Sequence, residues 1–318
     1  MTAASAHTAK AVLLDGPRQL RLAELPLSAL GPADVRVRTW FSGISTGTER
    51  LFYTGEMPPF PGMGYPLVPG YESVGEVIEA GAESSIKMGS VVFVPGANCY
   101  GPVRGLFGGA SSELVTSSDR VVEIGPDLQE KGVLFALAAT AYHAVEMAGA
   151  NLPDLIVGHG VMGRLMARIV VARGGNPTVW DTQAERLEGA QGYILRDPAS
   201  SKGQMFESIV DASGAGNAMN QWIAHLRPGG RLVLAGFYSQ PLSFDFAPAF
   251  MRELSLQVAA QWQPSDLQAV TAMVRDGALN LDGLITNQLG ADHAAEAYQC
   301  AFEDPSALKV VMDWRGIQ

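Results

Sequence analysis

The fold of this chain is decided by nine residues near its middle, which are LIVGHGVMG at positions 155–163. The stretch opens with three apolar residues, as a buried strand does, and continues with glycines in the pattern GxGxxG. After it, the apolar pairs Leu165 and Ile169, and Met166 and Val170, have the i,i+4 spacing of a helix face. The sequence therefore predicts a strand, a tight glycine turn and a helix in immediate succession.

The glycine turn predicts a dinucleotide-binding loop. Gly158 permits the tight turn, Gly160 lets the backbone approach a pyrophosphate, and Gly163 lets the helix pack closely on the strand. The helix N-terminus offers free N–H groups to the phosphates. Asp181 follows the next predicted strand, where a carboxylate accepts from a ribose 2′-OH and repels a 2′-phosphate. This arrangement favours NAD over NADP, and His159 inside the loop is interpreted as a bystander that touches phosphate or solvent.

Strand and helix patterns alternate on both sides of this motif. We expect strands at Thr178–Trp180, Ile209–Val210 and Leu232–Leu234, and a helix that begins with the capping box TQAE at 182–185. Such alternation predicts an α/β fold with a doubly wound parallel sheet, the Rossmann type. The expected cofactor-binding residues are Thr140, Gly158, Gly160, Val161, Met162, Gly163, Asp181, Gly214 and Gly236.

The first third of the chain instead predicts a barrel-like β domain. Its β-branched runs are separated by turn signals such as Asp15-Gly16-Pro17. The tail contains a helix pattern and a final strand at Lys309–Met312, and we expect it to return to the β domain. We therefore predict a discontinuous β domain at 1–137 and 264–318, with the Rossmann domain at 138–263 between them. The expected strands are Ala11–Leu14, Val35–Trp40, Val74–Glu79, Val91–Val94 and Val121–Ile124.

Composition narrows the class of protein. The chain has 318 residues, a length that indicates two domains. Hydrophobic residues make up 47% of it and charged residues 17%, which is typical of folded globular proteins. A net charge of -10 argues against a nucleic-acid partner. Met1–Lys10 has no signal-peptide pattern and no window is long enough for an integral membrane segment, so we expect a soluble cytoplasmic protein. The two cysteines, Cys99 and Cys300, are expected to be free thiols.

Three segments resemble the medium-chain dehydrogenase/reductase superfamily. They are FSGISTGTE at 41–49, PGYESVG at 69–75 and AATAY at 138–142. In the family, each of the first two segments contains a ligand of a catalytic zinc ion, and the third segment lies just after a further ligand of that ion. The resemblance covers nearly the whole chain and implies a GroES-like β-barrel domain into which a Rossmann domain is inserted.

The resemblance also implies that the zinc sites of the family have been lost. The three ligand positions hold Ser45, Tyr71 and Ala136. A hydroxyl, a phenol and a methyl group do not bind Zn²⁺, which takes thiolate, imidazole or carboxylate. The region of the four-cysteine structural lobe, Val94–Gly109, keeps only Cys99. We therefore expect no metal, although one alternative site stays open, composed of Glu49, Glu72 and His143.

The segments around residues 45 and 71 are most similar to the branch of this superfamily that oxidises the hydroxyethyl group of a bacteriochlorophyllide to acetyl in bacteriochlorophyll biosynthesis. This similarity implies a zinc-free, NAD-dependent alcohol dehydrogenase with a tetrapyrrole substrate. Without zinc a side chain must take the hydroxyl proton. The candidates for this catalytic role are Thr46, Glu49, Tyr71 and Glu72. The aromatic segment Leu51–Pro66 either forms a wall for a flat substrate or packs on the barrel.

Two other functions stay open at this stage. A zinc-free enone or quinone reductase of the same superfamily would use NADPH and would carry a small or basic residue in place of Asp181. A non-catalytic protein would bind NAD without turning over an alcohol. A homodimer is also expected, by analogy with family dimers, through an edge strand near Leu254–Ala259.

Overall fold

The computed structural model describes residues 7–238 and 240–317. Residues 1–6, on which the expectation of a missing signal peptide partly rests, lie outside the described residues. The chain divides into two compact units. The first unit comprises the chain up to Phe135 together with the segment from Ile285 onward, and the second unit is Ala136–Leu284.

The first unit is built mainly from β-strands, as the turn-rich sequence predicts. Its strands are β1 (Thr8–Gly16), β2 (Gln19–Pro26), β3 (Asp34–Gly43), β4 (Leu67–Pro69), β5 (Ser73–Ala80), β6 (Val91–Val94), β7 (Arg104–Leu106), β8 (Glu113–Ser117), β9 (Val122–Glu123), β16 (Asn287–Gly290) and β17 (Val310–Asp313). One sheet has the order β2-β1-β4-β7, and the other has the order β16-β17-β3-β5-β6-β9 with β8 paired to β3. Two helices accompany them, α1 (Thr48–Thr54) and α7 (Ala294–Glu303).

Strand β3 shows why these residues form a sheet. Val35 and Val37 are fully buried, whereas the arginines between and after them are less buried, so the side chains alternate between core and surface. The final strand β17 pairs antiparallel with β3, and Val311 lies opposite Gly43. The C-terminal strand thus lies in a sheet of the first unit.

The second unit contains a parallel sheet in the order β12-β11-β10-β13-β14-β15. Its strands are β10 (Leu155–Val157), β11 (Thr178–Trp180), β12 (Ile194–Arg196), β13 (Phe206–Asp211), β14 (Leu226–Leu234) and β15 (Ser255–Val258). The helices are α2 (Phe135–Met147), which begins at the unit boundary, α3 (Val161–Ala172), α4 (Met219–Ala224), α5 (Phe246–Met251) and α6 (Pro264–Arg275). This strand order, with the glycine motif between β10 and α3, confirms the doubly wound Rossmann fold.

One predicted helix is wrong. The sequence TQAE at 182–185 leads only to a three-residue 3₁₀ turn, and Gln183 makes no capping bond with its side chain. The segment that follows is instead tied to α3, because the guanidinium of Arg164 on that helix donates to the carbonyl oxygens of Glu188 and Gly189. These long-range contacts outweigh a local capping pattern, which contributes only about 1 kcal/mol.

The second unit ends later than the predicted domain boundary at residue 263. Helix α6 belongs to this unit, and Asp266 in its first turn lies 2.9 Å from Nδ1 of His143 on α2. The predicted homodimer remains a prediction. The strand expected to mediate it, β15, is indeed an edge strand, and Val258 on it is 66% exposed. Among the described residues, no helix combines the length and apolar character that crossing a membrane requires.

The second and third glycines of the motif, Gly160 and Gly163, provide a test of this local geometry. A Cβ at Gly163 would lie 1.7 Å from the carbonyl oxygen of Gly158, whereas a Cβ at Gly160 would meet only a guanidinium nitrogen of Arg186, at 3.6 Å. We expect Gly163→Ala to lower the free energy of unfolding by about 1–3 kcal/mol, the usual cost of overpacking. Gly160→Ala is the matched control and should unfold at nearly the wild-type denaturant concentration. Equal stability of the two variants would contradict this geometry.

Candidate active site

A short hydrogen bond links the two side chains that stand at predicted zinc-ligand positions in the first unit. Ser45 Oγ and Tyr71 Oη are 2.6 Å apart. Ser45 follows β3 and Tyr71 lies between β4 and β5, so two neighbouring loops bring them together. Ser45 is buried and Tyr71 is partly exposed. Burial and the nearby carboxyl group of Glu72 raise the pKa of Tyr71 above its ordinary value of 10, so its phenol is protonated at neutral pH.

Glu49, in the first turn of α1, is sealed inside the first unit. Its side chain accepts from the backbone N–H of Ser45 at 3.0 Å and from the hydroxyl of Tyr298 at 2.5 Å. The residue is only 1% exposed. Burial raises the pKa of Glu49 from 4.5 to about 7, although both hydrogen bonds favour the charged form. The carboxyl group therefore exchanges its proton near neutral pH.

Glu72 is buried beside a cation from the other end of the chain. Its Oε2 lies 2.7 Å from Nζ of Lys309, which also donates to the carbonyl oxygen of Ile44 at 3.0 Å. Lys309 is 1% exposed and Glu72 is completely buried. Burial raises the pKa of Glu72, and the ammonium of Lys309 opposes that rise. The ion pair spares each group the large cost of an unpaired buried charge.

The four predicted catalytic residues fall into two groups. Thr46 is exposed and Tyr71 is partly exposed, so both can meet a substrate. Glu49 and Glu72 lie beneath them and bind protein groups instead. Lys309 was missed by the sequence analysis, although a lone lysine at the start of the apolar run Val310–Met312 was a signal that its charge needs a partner.

The residues of this cluster do not fit a zinc ion. The hydroxyl groups of Ser45 and Tyr71 are hydrogen-bonded to each other, and the carboxylate of Glu72 is paired with the ammonium of Lys309. Zn²⁺ prefers thiolate, imidazole or carboxylate ligands. His143 of the alternative site belongs to the second unit and bonds Asp266. Within residues 7–238 and 240–317, no group of three or more His, Cys, Asp or Glu side chains is arranged to hold a metal. That the protein carries no zinc stays a prediction.

The glycine loop of the second unit has the geometry of a phosphate cradle. Gly158 has φ +96°, which an L side chain rarely adopts, and its N–H donates to the carbonyl oxygen of Trp180 at 2.7 Å. Gly160 precedes the first turn of α3, and no side chain caps that helix. The N–H groups of Val161 and Met162 in the first turn of α3 are therefore free to bind a ligand.

Asp181 stands at the end of β11 beside this loop. Its Oδ2 accepts from the backbone N–H of His159 at 2.7 Å and its Oδ1 from that of Gln183 at 2.9 Å. His159 is wholly buried, with Nδ1 2.6 Å from the carbonyl oxygen of Arg186 and Nε2 2.6 Å from the hydroxyl of Tyr193. Burial lowers the pKa of His159 to about 4. This histidine is neutral and holds the loop, so the expected contact with phosphate or solvent is wrong.

The loops after β13 and β14 are joined next to the glycine motif. The hydroxyl of Tyr238 donates to the buried carboxyl group of Asp211, which also accepts from the N–H of Gly214 at 3.2 Å. A Cβ on Gly236 would lie 2.6 Å from the nitrogen of Gly214, so the two predicted cofactor residues lie against each other. The remaining one, Thr140, donates its hydroxyl to a carbonyl oxygen one turn earlier in α2.

The raised pKa of Glu49 predicts a specific pH dependence of stability. The folded protein binds this proton up to about pH 7, whereas the unfolded chain releases it near 4.5. The wild type should therefore lose stability relative to Glu49→Gln as the pH rises from about 4.5 to 7, with no further change above. Urea unfolding across this range measures the difference, and the exposed Glu83→Gln is the control. Parallel curves for the wild type and Glu49→Gln would show that the carboxyl group is not raised.

Comparisons with known proteins agree with this architecture. The family model described as "Alcohol dehydrogenase GroES-like domain" matches residues 31–126, and that described as "Zinc-binding dehydrogenase" matches residues 162–276. A solved alcohol dehydrogenase of E. coli CFT073 in complex with NADH superposes with a TM-score of 0.82 at 23% identity, over 96% of this chain and 99% of that one. A solved 2R,3R-butanediol dehydrogenase of Bacillus subtilis gives 0.83 at 20%, with the same coverage.

Two curated proteins are much more similar in sequence. The 2-desacetyl-2-hydroxyethyl bacteriochlorophyllide A dehydrogenase of Cereibacter sphaeroides is 53% identical over 313 residues, covering 96% of this chain and 98% of that protein. The protein of the same name from Rhodobacter capsulatus is 53% identical over 306 residues, with the same coverage. The chain therefore belongs to the medium-chain dehydrogenase/reductase superfamily and, within it, to the family of the 2-desacetyl-2-hydroxyethyl bacteriochlorophyllide A dehydrogenases.

Proposed function

We propose that this protein oxidises the secondary alcohol of a hydroxyethyl bacteriochlorophyllide to the acetyl group, with NAD⁺ as the hydride acceptor, in bacteriochlorophyll biosynthesis. The observation that carries the proposal is the 53% identity to dehydrogenases named for this substrate, over nearly the full length of both chains. A Rossmann unit with an open glycine loop and a polar cluster around Tyr71 support it.

The reaction removes a hydride from the carbinol carbon and a proton from its oxygen. Bound NAD⁺ supplies the electron-deficient ring that accepts the hydride. The proton must go to a group within hydrogen-bond reach of the substrate hydroxyl. Tyr71 is partly exposed and its Oη already lies 2.6 Å from Ser45 Oγ. Because the pKa of Tyr71 is raised, its phenol is protonated and does not act as a stored phenolate. It would accept the substrate proton while its own proton moves to Ser45 Oγ, and the Ser45 hydroxyl would release its proton to solvent water as the final acceptor.

Glu49 and Glu72 act as positioning residues in this proposal. The side chain of Glu49 accepts a hydrogen bond from the backbone of Ser45. Glu72 directly follows Tyr71 in the sequence, and its carboxyl group is paired with Lys309. Both carboxyl groups are buried, so they hold the loops that present Ser45 and Tyr71. Thr46 is exposed next to Ser45 and is proposed as a further contact for the substrate oxygen.

The second unit supplies the nucleotide site. The free N–H groups at the start of α3 would bind the pyrophosphate, and Asp181 would accept from the adenosine ribose. The solved relatives of this fold include complexes with NADH and with NADP. Asp181 favours NAD, because its carboxylate would lie against a 2′-phosphate. The backbone N–H groups of His159 and Gln183 donate to this carboxylate and hold it beside the glycine loop.

Cofactor-dependent turnover separates this function from its alternatives. We expect the protein to reduce NAD⁺ in the presence of hydroxyethyl bacteriochlorophyllide, measured as NADH absorbance, with NADP⁺ at least tenfold less effective. Asp181→Ser should lower this preference, because Arg186 beside Gly160 can then meet a 2′-phosphate. Reduction of an enone or quinone by NADPH without alcohol oxidation would identify a reductase. Binding of NAD⁺ with no turnover of any alcohol would identify a non-catalytic protein.

Replacing Tyr71 by phenylalanine tests the proton path. The change removes one hydroxyl group and keeps the ring, so the fold and the dissociation constant for NAD⁺ should be retained. We expect turnover to fall by about 10²–10⁴-fold, the usual contribution of general acid–base catalysis. Single-turnover kinetics with saturating NAD⁺ measure the effect. Near-normal turnover in Tyr71→Phe would place the proton acceptor elsewhere.

A further inference from the structure

An exposed aromatic side chain that the polar cluster does not explain lies directly against Tyr71. Phe107 follows β7, and its ring centroid is 5.7 Å from that of Tyr71, with the ring planes at 84°. The side chain is 39% exposed. Phe107 also packs on the fully buried ring of Phe52, at a centroid distance of 6.4 Å, and Phe60 packs on Phe52 at the same distance.

The aromatic segment Leu51–Pro66 resolves into two parts. Tyr53, Met57 and Met63 pack against Phe52 and the strands below it, so this part of the predicted wall belongs to the core. Phe60 keeps 37% of its surface exposed. In the described part of the first unit, the large apolar side chains that are exposed by more than a third are Phe60, Phe107 and Met88. Two of these three therefore share one buried ring, next to the proposed catalytic phenol.

The backbone that carries Phe107 is fixed although its ring is exposed. The carbonyl oxygen of Phe107 accepts a hydrogen bond from the N–H of Ala97 at 2.8 Å, and the N–H of Gly108 donates to the carbonyl oxygen of Val68 at 2.9 Å. A Cβ on Gly96 would lie 2.1 Å from the same carbonyl oxygen, so only glycine fits there. A ring presented to solvent on a rigid backbone is preorganised to bind a ligand, because little conformational entropy remains to be lost on binding.

We propose that Phe107 and Phe60 form the platform on which the tetrapyrrole macrocycle rests while its hydroxyethyl group meets Tyr71. This inference rests on the proposed function and names the residues that select a large flat substrate over a small alcohol. A conjugated macrocycle offers an apolar face broad enough to contact two rings, which a small alkanol cannot do. The direct ring contact of Phe107 with Tyr71 places the platform beside the reacting oxygen.

The platform is tested by the affinity for 2-desacetyl-2-hydroxyethyl bacteriochlorophyllide a, measured by quenching of its fluorescence on binding to the full-length protein. Loss of an aromatic contact is expected to weaken binding about tenfold or more in Phe107→Ala. Phe107→Tyr should stay within about threefold of the wild type by the same argument, because the ring is retained. The dissociation constant for NAD⁺ should not change in either variant. Phe244→Ala is the matched control, since Phe244 is also 39% exposed but belongs to the second unit.

A second variant keeps the test valid if Phe107→Ala does not fold. Phe60→Ala removes the other ring of the platform without touching Tyr71, and it should also weaken tetrapyrrole binding. Wild-type affinity in Phe60→Ala and in any folded Phe107→Ala, or an equal loss in Phe244→Ala, would overturn the platform while leaving the proposed function intact. A wild-type protein that neither binds nor oxidises the tetrapyrrole would overturn the function and the platform together.

Discussion

The buried ion pair of Lys309 with Glu72 is the constraint on which the first unit depends. It joins residues 237 positions apart in the sequence, and both side chains are buried away from the protein surface. Breaking such a pair on one side leaves an uncompensated charge in the core, which costs about 3–5 kcal/mol. Two further buried bonds run in parallel, from Tyr298 to Glu49 and from Trp314 to Ser42. Residues near the C-terminus thereby support the polar cluster around Ser45 and Tyr71.

This constraint explains why the polar cluster is arranged as it is. A zinc ion would bring positive charge to the loops around residues 45 and 71. In this structure the buried ammonium of Lys309 is the positive charge bonded to these loops, through Ile44 and Glu72. The ammonium is committed to Glu72 and to the carbonyl oxygen of Ile44, so it stays out of reach of a substrate. Above it, Ser45 and Tyr71 offer only hydroxyl groups. Under the proposed function, these hydroxyl groups would bind the substrate hydroxyl through hydrogen bonds and without a metal-bound alkoxide, which would suit an alcohol whose carbinol carbon is attached to a conjugated ring.

Local sequence patterns were sufficient for the parts of the fold that depend on near neighbours. The motif at 155–163 forms a strand, a turn with φ +96° at Gly158 and a helix, as predicted. The turn needs a positive φ at Gly158, and Gly163 packs on the carbonyl oxygen of Gly158 only five residues earlier. The helix expected from residue 182 failed for the opposite reason. Its fate is decided by Arg164, whose guanidinium binds carbonyl oxygens more than 20 residues later. A capping pattern contains no information about such a contact.

The same distinction between local and long-range contacts separates the site residues that the sequence predicted from those that it did not. Tyr71 and Ser45 were located because they replace ligands within recognisable segments. The partners of the two buried carboxyl groups, Lys309 for Glu72 and Tyr298 for Glu49, come from a tail that carries no motif of its own. The antiparallel pairing of β17 with β3 brings that tail to this site. The identity of the Ser45–Tyr71 pair is thus encoded locally, whereas the rigidity and charge balance of its surroundings are encoded by topology. A substitution in the tail can therefore disturb the chemistry without touching any residue that meets the substrate.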